Sequence, residues 1–275
     1  MKKRTFPGID TILKKIYIAL IFVFLYAPIL TLIVLSFNRS KTRAKWGGFS
    51  LMWYVSLFSN RDIMEALSTT LSIALLSSAI ATIIGVCTCV GLRKMKTTSR
   101  SVIIGVTNIP MLNADIVTGI SLMLLFLSIG MKFGFGTILL SHITFNIPYV
   151  ILSVMPRMKN LNTPVYEAAL DLGASPVYAF FKVVLPELLP GILSGFLLAF
   201  TMSLDDFIIT HFTKGAGIDT LSTKIYTEVK KGIKPEMYAL STIIFVSVLI
   251  LLILVNKPEK AAKDDVAPPQ PVVIP

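Results

Sequence analysis

The sequence predicts an all-α, polytopic membrane protein with six transmembrane helices. Of its 275 residues, 54% are hydrophobic and only 15% are charged, and the mean hydropathy is +0.77. A soluble globular domain carries about 25% charged residues. A core cannot absorb so much apolar side chain at this length, so we expect much of it to face lipid.

Six stretches are long enough to cross about 30 Å of hydrocarbon, which takes roughly 20 residues of helix. A backbone inside lipid must satisfy its own hydrogen bonds, and no ten-residue blocks of alternating polarity favour strands, so we expect helices. The third stretch holds Asn108 and Pro110, which predict a kink or a separate short helix. The predicted spans are 16–37, 66–92, 101–129, 134–155, 188–212 and 237–255.

The segments outside the spans complete the predicted domain organisation. Residues 1–15 are basic and resemble the start of a signal peptide, but the apolar run that follows is too long and lacks a small-residue cleavage site. We therefore expect a cytoplasmic N-terminus before an uncleaved first span. Residues 16–255 form the transmembrane domain, and the proline-rich, charged residues 256–275 form a disordered cytoplasmic tail.

The net charge is +11, and the basic residues avoid the apolar stretches. Cationic flanks around apolar spans suit a membrane surface with anionic lipid. Nucleic acid is the alternative partner of a basic chain, but no basic patch with interleaved aromatic residues occurs. The distribution of Lys and Arg favours cytoplasmic N- and C-termini.

Residues 157–186 form a longer and less apolar loop that predicts two short helices. The Thr163-Pro164 pair is expected to cap and begin the first helix, and Gly173 to end it. The Ser175-Pro176 pair repeats this start for a second helix, which we expect Pro186 to end.

On the first loop helix, Glu167 and Asp171 are four residues apart and share a face, which suits a basic partner. Ala168 and Ala169 are small enough to allow close backbone approach. The alternative is a solvated amphipathic helix with no partner.

The run Glu167-Ala168-Ala169, followed by Gly173-Ala174 and Leu185-Pro186, resembles the EAA loop of ABC-importer permeases. The resemblance implies a cytoplasmic coupling helix in a cleft of a partner ATPase, with Glu167, Ala168, Ala169, Asp171 and Gly173 at the contact. The chain has no Gly-x-x-x-x-Gly-Lys-Ser/Thr phosphate loop, so we expect no catalysis here and ATP and Mg only on the partner. No metal or cofactor is expected on this chain.

Three carboxylates lie away from the ends of the predicted spans, Asp115, Asp205 and Asp206, and no Lys or Arg does. A charge inside a bilayer costs about 2.5–3.5 kcal/mol on insertion scales and usually lines a water-filled or substrate path. These acids therefore favour a cationic ligand. Asp205 and Asp206 differ by about 100° around a helix, and the sequence leaves open which one faces the path. Protonated, hydrogen-bonded acids, or partners of a basic residue on another subunit, are the alternatives.

Residues 111–122, 141–149, 198–207 and 223–236 resemble the spermidine/putrescine permeases of the PotC type, within the family of binding-protein-dependent transport inner-membrane components. The resemblance runs from the first span to the sixth and departs at Asn113-Ala114, where these permeases have Ser-Pro. It implies the type I, MetI-like ABC-importer permease fold in a bacterial inner membrane. It also implies a second permease subunit, an ATPase homodimer and an extracytoplasmic solute-binding protein as partners, and polyamines as the substrate.

Several aromatic residues are further candidates. Trp46 and Tyr54 follow the first span and suit interfacial anchoring or, alternatively, a cation-binding box on the substrate path. His142 and His211 are expected to be buried, neutral and hydrogen-bonded, with substrate contact as the alternative.

A short outer helix is predicted around Leu221, Ile225 and Val229, with lysines beside this apolar face. It suits a helix on the membrane surface, or a docking site for a solute-binding protein as the resemblance implies.

Two other functions compete with polyamine import. One is an importer of another cationic or metal solute. The other is an intramembrane aspartyl protease, in which Asp115 and Asp205 would face each other, although the Gly-x-Gly-Asp setting of that class is absent.

Overall fold

The computed structural model describes residues 9–42 and 44–255, with the backbone alone for residues 9–12 and 251–255. Residues 1–8 of the predicted N-terminus and the whole predicted tail lie outside this range. The described residues form twelve helices joined by short connections, and their one strand-like pairing is the isolated bridge between Asn38 and Phe49. The helices are α1 (Ile9–Ser36), α2 (Met52–Ser59), α3 (Arg61–Arg93), α4 (Thr97–Leu112), α5 (Asp115–Ser128), α6 (Phe135–Lys159), α7 (Thr163–Asp171), α8 (Pro176–Ala179), α9 (Leu185–Asp205), α10 (Ile208–Thr213), α11 (Leu221–Lys231) and α12 (Pro235–Val255).

Four helical runs are each long and apolar enough to cross a membrane: α1, α3, α6 and the continuous run Pro176–Asp205. The bent pair α4–α5 makes a fifth candidate if it forms one span. In α12 the apolar part within the described side chains, Pro235–Ile250, is shorter. The described residues thus support four to five spans, and the sixth stays a prediction.

The predicted interruption of the third span is confirmed as a full break. Asn113 and Ala114 are extended, with ψ of 152° and 138°, and α4 and α5 meet at an angle of 105°. Pro110 lies in the last turns of α4, where it removes a backbone donor just before the break. As a result Asp115 begins α5, where the helix dipole favours a negative charge.

The core is a three-helix unit in which α3, α6 and α9 pack closely around Val150. A Cβ added to Gly85 of α3 would lie 2.6 Å from a methyl carbon of Val150, and one added to Gly195 of α9 would lie 3.3 Å from its Cα. Small residues at helix interfaces let backbones approach in this way. The glycines of the predicted spans therefore set the spacing of the core.

The first helix of the loop between α6 and α9 ends as predicted, but it starts one residue earlier than predicted. Gly173 has a φ of +90°, and the amide of Ala174 donates to the carbonyl of Ala169, as in a glycine-terminated helix. The predicted cap is shifted by one residue, because Asn162 precedes α7 and the hydroxyl of Thr163 instead accepts a 2.8 Å bond from Arg93.

The prediction that Pro186 ends the second loop helix is wrong. A single π-helical segment, Phe180–Val184, joins α8 to α9, and the amide of Leu185 donates to the carbonyl of Phe180 five residues earlier. Pro186 then occupies the first turn of α9, where its missing N–H costs little. The chain therefore stays helical from Pro176 to Asp205, over 30 residues.

The bundle has two distinct ends. We call the end that carries α7 the loop end and the opposite one the far end. At the far end, Ser56 of α2 donates a 2.6 Å bond to Glu236 at the start of α12. The indole of Trp53 donates to the carbonyl of Asn38 just after α1, so α1 also finishes at the far end. The first residues of α1 and the last residues of α12 therefore point towards the loop end.

Candidate functional site

The helix breaks place two of the three predicted acids on one open face. Asp115 begins α5 and Asp205 ends α9, and both side chains are exposed. The charge of Asp115 acts on Asp205 and on Tyr149 of α6, so the three groups are close enough to interact electrostatically. Helix α5 packs on α10 through Gly119, where an added Cβ would lie 3.1 Å from the ring of Phe212.

Asp206 has different surroundings and a structural role. Its side chain is only 8% exposed. It accepts hydrogen bonds from the amides of Ile209 at 3.3 Å and Thr210 at 2.8 Å, and from the hydroxyl of Thr210 at 2.8 Å. These donors belong to the first turn of α10, so Asp206 caps that helix after the break. Of the adjacent pair, Asp205 is the one left facing outward.

His142 is buried and hydrogen-bonded, as predicted, and it supports this cap. Its Nδ1 lies 2.5 Å from the hydroxyl of Ser203, and its Nε2 lies 2.9 Å from that of Thr210 and 3.4 Å from the carboxylate of Asp206. The single hydroxyl proton of Thr210 goes to Asp206, so Nε2 must be the donor to Thr210. Nδ1, on the other side of the ring, faces the hydroxyl of Ser203.

The hydrogen-bonded chain continues into the three-helix core. Ser203 lies 3.2 Å from the hydroxyl of Ser77 on α3, which accepts a 3.4 Å bond from the amide of Asn146 on α6. Sequence reasoning missed Ser77, Asn146, Ser203 and Thr210. The signal that could have found them is their polarity inside otherwise apolar spans, where side chains of this kind bond across helices.

The prediction for His211 is wrong, because this side chain is exposed. Its neighbours Ile209 and Thr210 are buried, so the next position on the short helix α10 turns outward. The ring stacks on Phe207 with centroids 5.2 Å apart and meets the edge of Tyr226 at 6.1 Å. Aromatic packing, not a buried hydrogen bond, holds it.

The two aromatic candidates after the first span lie at the far end. Trp46 is 54% exposed, whereas the hydroxyl of Tyr54 is 2.7 Å from that of Ser36 and its ring packs against Phe37. Within the described residues, neither side chain contacts Asp115 or Asp205. Tyr54 therefore ties α2 to the end of α1, and Trp46 is left as a surface residue.

The residues predicted to contact an ATPase lie together on the loop end. Glu167, Ala168, Asp171 and Gly173 are exposed, and Ala169 is half-buried. Between them Leu172 is 90% exposed, although it is a large apolar residue. Val177 and Tyr178 in the same loop are exposed as well, and several exposed apolar or aromatic side chains in one segment are typical of a surface that a partner covers.

Helix α11 packs its apolar face onto the bundle. Leu221 is buried in a cluster with Leu57, Ile63 and Met237, and Ile225 packs against it, while Val229 is exposed. On its polar side Lys224 pairs with Asp62 at 3.1 Å. Packing against protein thus accounts for two of the three apolar residues that suggested a membrane-surface helix.

The loop before α11 is fastened by an ion pair between Lys214 and Asp219. Burial alone would raise the pKa of Asp219, but the hydrogen bond and charge of Lys214 outweigh it and hold this pKa below its ordinary value. Asp219 also accepts from the hydroxyl of Thr223 at 3.1 Å, which fixes the first turn of α11.

Comparison with known proteins gives a consistent result. The model of the family described as "Binding-protein-dependent transport system inner membrane component" matches residues 81–257. The chain is 38% identical over 245 residues to the spermidine/putrescine transport system permease protein PotC of Escherichia coli K12, covering 89% of this chain and 93% of that protein. It is also 38% identical over 237 residues to the putrescine transport system permease protein PotI of the same strain, covering 84% of each.

A solved structure confirms the fold. A chain of a bacterial ABC transporter involved in the import of the acidic polysaccharide alginate superposes with a TM-score of 0.70. The overlap covers 90% of this chain and 94% of that one, at 16% sequence identity.

Proposed function

Because the chain belongs to the family of binding-protein-dependent transport system inner membrane components, we propose that it is the permease subunit of an ABC importer that carries spermidine and putrescine into a bacterial cell. The PotC and PotI relatives support these substrates by their names and by their nearly full-length match. In this role the chain forms part of the path through the membrane and hydrolyses nothing itself.

The observation that carries the proposal is the pair Asp115 and Asp205. Both are exposed, Asp115 at the break between α4 and α5 and Asp205 at the break between α9 and α10, and within the described residues neither forms an ion pair. A polyamine carries several ammonium groups that lose water on entering the membrane. Two carboxylates on the path would offset part of that desolvation. Exposure keeps the interaction weak enough for release.

The continuous helical run from Pro176 to Asp205 supports a mechanical coupling between a partner ATPase and the acids of the path. Its first residues follow the loop with Glu167 and Leu172, and its last residue is Asp205. Closure of an ATPase pair would move α7, and the displacement would reach Asp205 along one continuous helical run. The acids would thereby alternate between an outward-facing and an inward-facing position.

The remaining parts of the proposal follow from this mechanism. The loop end faces the cytoplasm, so both termini are cytoplasmic and the far end receives an extracytoplasmic binding protein. A second permease subunit completes the path beside Asp115 and Asp205. A homodimeric ATPase binds the loop end and supplies ATP and Mg chemistry.

The test is uptake by the assembled importer in proteoliposomes, with labelled spermidine and labelled putrescine. Asp115→Asn and Asp205→Asn should each lower ATP-dependent uptake about tenfold, the size of effect expected for a lost interaction with a charged group. Asp62→Asn is the control for the loss of one carboxylate outside the path, because Asp62 pairs with Lys224 at the far end. Binding of the solute-binding protein is measured on this variant as well, so that an effect on docking is separated from an effect on the path. Normal uptake by both path variants would refute the role of the pair.

Competition in the same assay separates the other candidates. An importer of a different cationic or metal solute would take up that solute when it is labelled. An excess of the unlabelled solute would suppress this uptake, whereas an excess of spermidine would not. An intramembrane aspartyl protease would cleave a transmembrane peptide without ATP, and Asp115→Asn would abolish the cleavage.

A further inference from the structure

A basic hollow lies at the loop end, apart from the acids of the proposed path. Arg93, Arg100 and Lys159 surround a cavity of about 190 Å³ whose other walls include Met155 and Met158. Arg93 donates to the hydroxyl of Thr163, and Arg100 reaches the sulfur of Met155 at 3.5 Å. Throughout the described ranges, none of the three cations forms an ion pair with a carboxylate.

An apolar groove continues directly from this hollow. It runs between α4 and α6, has a volume of about 350 Å³ and shares Met155 and Lys159 with the basic cavity. Ile104, Ile151 and Leu152 line its length. The two cavities together form one amphipathic site, basic at the end of the helices and apolar along them.

We propose that this site binds a phospholipid with an anionic headgroup. The phosphate lies between the guanidinium groups of Arg93 and Arg100, which match phosphate geometry, with Lys159 as a third donor. One acyl chain lies in the groove between α4 and α6. Basic pockets between transmembrane helices on the cytoplasmic side suit anionic headgroups.

The placement of the three cations fits the boundary of the membrane. Arg93 is the last residue of α3, and Arg100 lies in the first turns of α4. This inference rests on the proposed function in one respect, because that function assigns the loop end to the cytoplasmic leaflet. A lipid held by Arg93 would also lie beside Thr163, the first residue of the proposed coupling helix.

Lipid binding to the purified full-length chain tests the proposal. The chain in neutral detergent is titrated with dioleoylphosphatidylglycerol, and bound lipid is counted by native mass spectrometry. Dioleoylphosphatidylcholine, with the same acyl chains, is the zwitterionic comparison, and glycerol 3-phosphate is the soluble headgroup. We expect one phosphatidylglycerol to bind at least about fivefold more tightly than phosphatidylcholine, which corresponds to one basic contact.

Two charge variants make the test specific. R93Q/R100Q/K159Q should weaken phosphatidylglycerol binding by about fivefold or more for each side chain removed. K94Q/K96Q/K182Q removes the same charge from exposed positions that do not line the hollow and should leave binding unchanged. Ile104→Trp should fill the groove and weaken both lipids. Size-exclusion profiles confirm that each variant remains folded.

Several results would overturn the proposal. Equal loss in the two charge variants would mean general attraction to anionic lipid. Displacement of phosphatidylglycerol by equimolar glycerol 3-phosphate would mean a soluble anion site. Normal lipid binding by R93Q/R100Q/K159Q together with loss of the ATPase subunit would assign the cations to that protein. Binding is measured on the isolated chain, so a failure of polyamine uptake leaves this result independent.

Discussion

The carboxylates of Asp205 and Asp206, although adjacent in the chain, have opposite relations to the break between α9 and α10. Asp205 ends α9 and is exposed, whereas Asp206 is nearly buried and accepts three hydrogen bonds from the first turn of α10. The break itself separates them, because Asp206 leaves the helical path with a ψ of 123°. One acid is therefore available to a ligand while its neighbour holds the backbone that presents it.

This difference predicts that alanine at one position lowers stability and that alanine at the other lowers only uptake. Asp206→Ala should lower the free energy of unfolding by about 1–3 kcal/mol, because it removes a helix cap and leaves buried donors unpaired. Asp205→Ala should change stability by less than about 0.5 kcal/mol, as for most exposed positions, and still impair polyamine uptake. Thermal denaturation in detergent and uptake in proteoliposomes measure the two effects. Equal stability losses would contradict the assignment of the cap to Asp206.

The two histidines offer a second matched pair. His142→Phe should cost about 1–3 kcal/mol of stability, because the hydroxyls of Ser203 and Thr210 lose a buried partner. His211→Phe should be nearly neutral, because phenylalanine can keep the stack on Phe207.

Denaturation of both histidine variants under one condition is the measurement. His142→Gln is a useful third variant, because its amide can still donate to Thr210 and should recover part of the loss. A neutral His142→Phe variant would show that the buried chain contributes nothing.

Much of the fold could be predicted from the sequence, because lipid imposes simple requirements on length and polarity. The long apolar helices, the interruption after Pro110 and the glycine end of the loop helix at Gly173 all follow from local residue chemistry. Pro186 shows the limit. Its local preference ends a helix, but the π-helical segment before it lets the chain continue, and that segment packs against α7, which local residue preferences do not reveal.

The candidate site was predictable in its charges and not in its geometry. Asp115, Asp205 and Asp206 were identified because a charged side chain inside a bilayer is energetically costly. Nothing in the sequence, however, showed which of Asp205 and Asp206 faces outward. The separation depends on His142, which comes from α6 and meets Asp206 only in the folded bundle, with its other ring nitrogen against Ser203 of α9. The sequence also allowed a buried His211, which the outward turn of α10 excludes.

The loop end gives a prediction about energy coupling. Glu167→Arg should place a bulky base on the exposed face of α7, so ATP hydrolysis by the assembled importer should continue while uptake per ATP falls.

Leu172→Ser should weaken attachment of the ATPase, because Leu172 is the most exposed large apolar side chain in this loop.

ATPase activity, uptake and co-purification of the ATPase are measured on the same preparations. Lys94→Glu is the control, because Lys94 is exposed on the neighbouring connection between α3 and α4 and outside α7. Normal coupling in Glu167→Arg would refute the docking role of α7.

Close packing of α3 on α6 gives the last prediction. Gly85→Ala should destabilise the bundle by about 1–3 kcal/mol, because the added methyl group would lie 2.6 Å from Val150, which is fully buried and cannot withdraw. Gly91→Ala is a control in the same helix, since an added Cβ there meets no atom within 4 Å. That substitution should be neutral or stabilising by up to about 1 kcal/mol through helix propensity alone. The reverse order of stabilities would mean that α3 and α6 are not packed through Gly85. Val150→Ala in the Gly85→Ala background should restore part of the loss, because it removes the methyl carbon at 2.6 Å and leaves only the Cβ of residue 150, at 2.9 Å from the new Cβ.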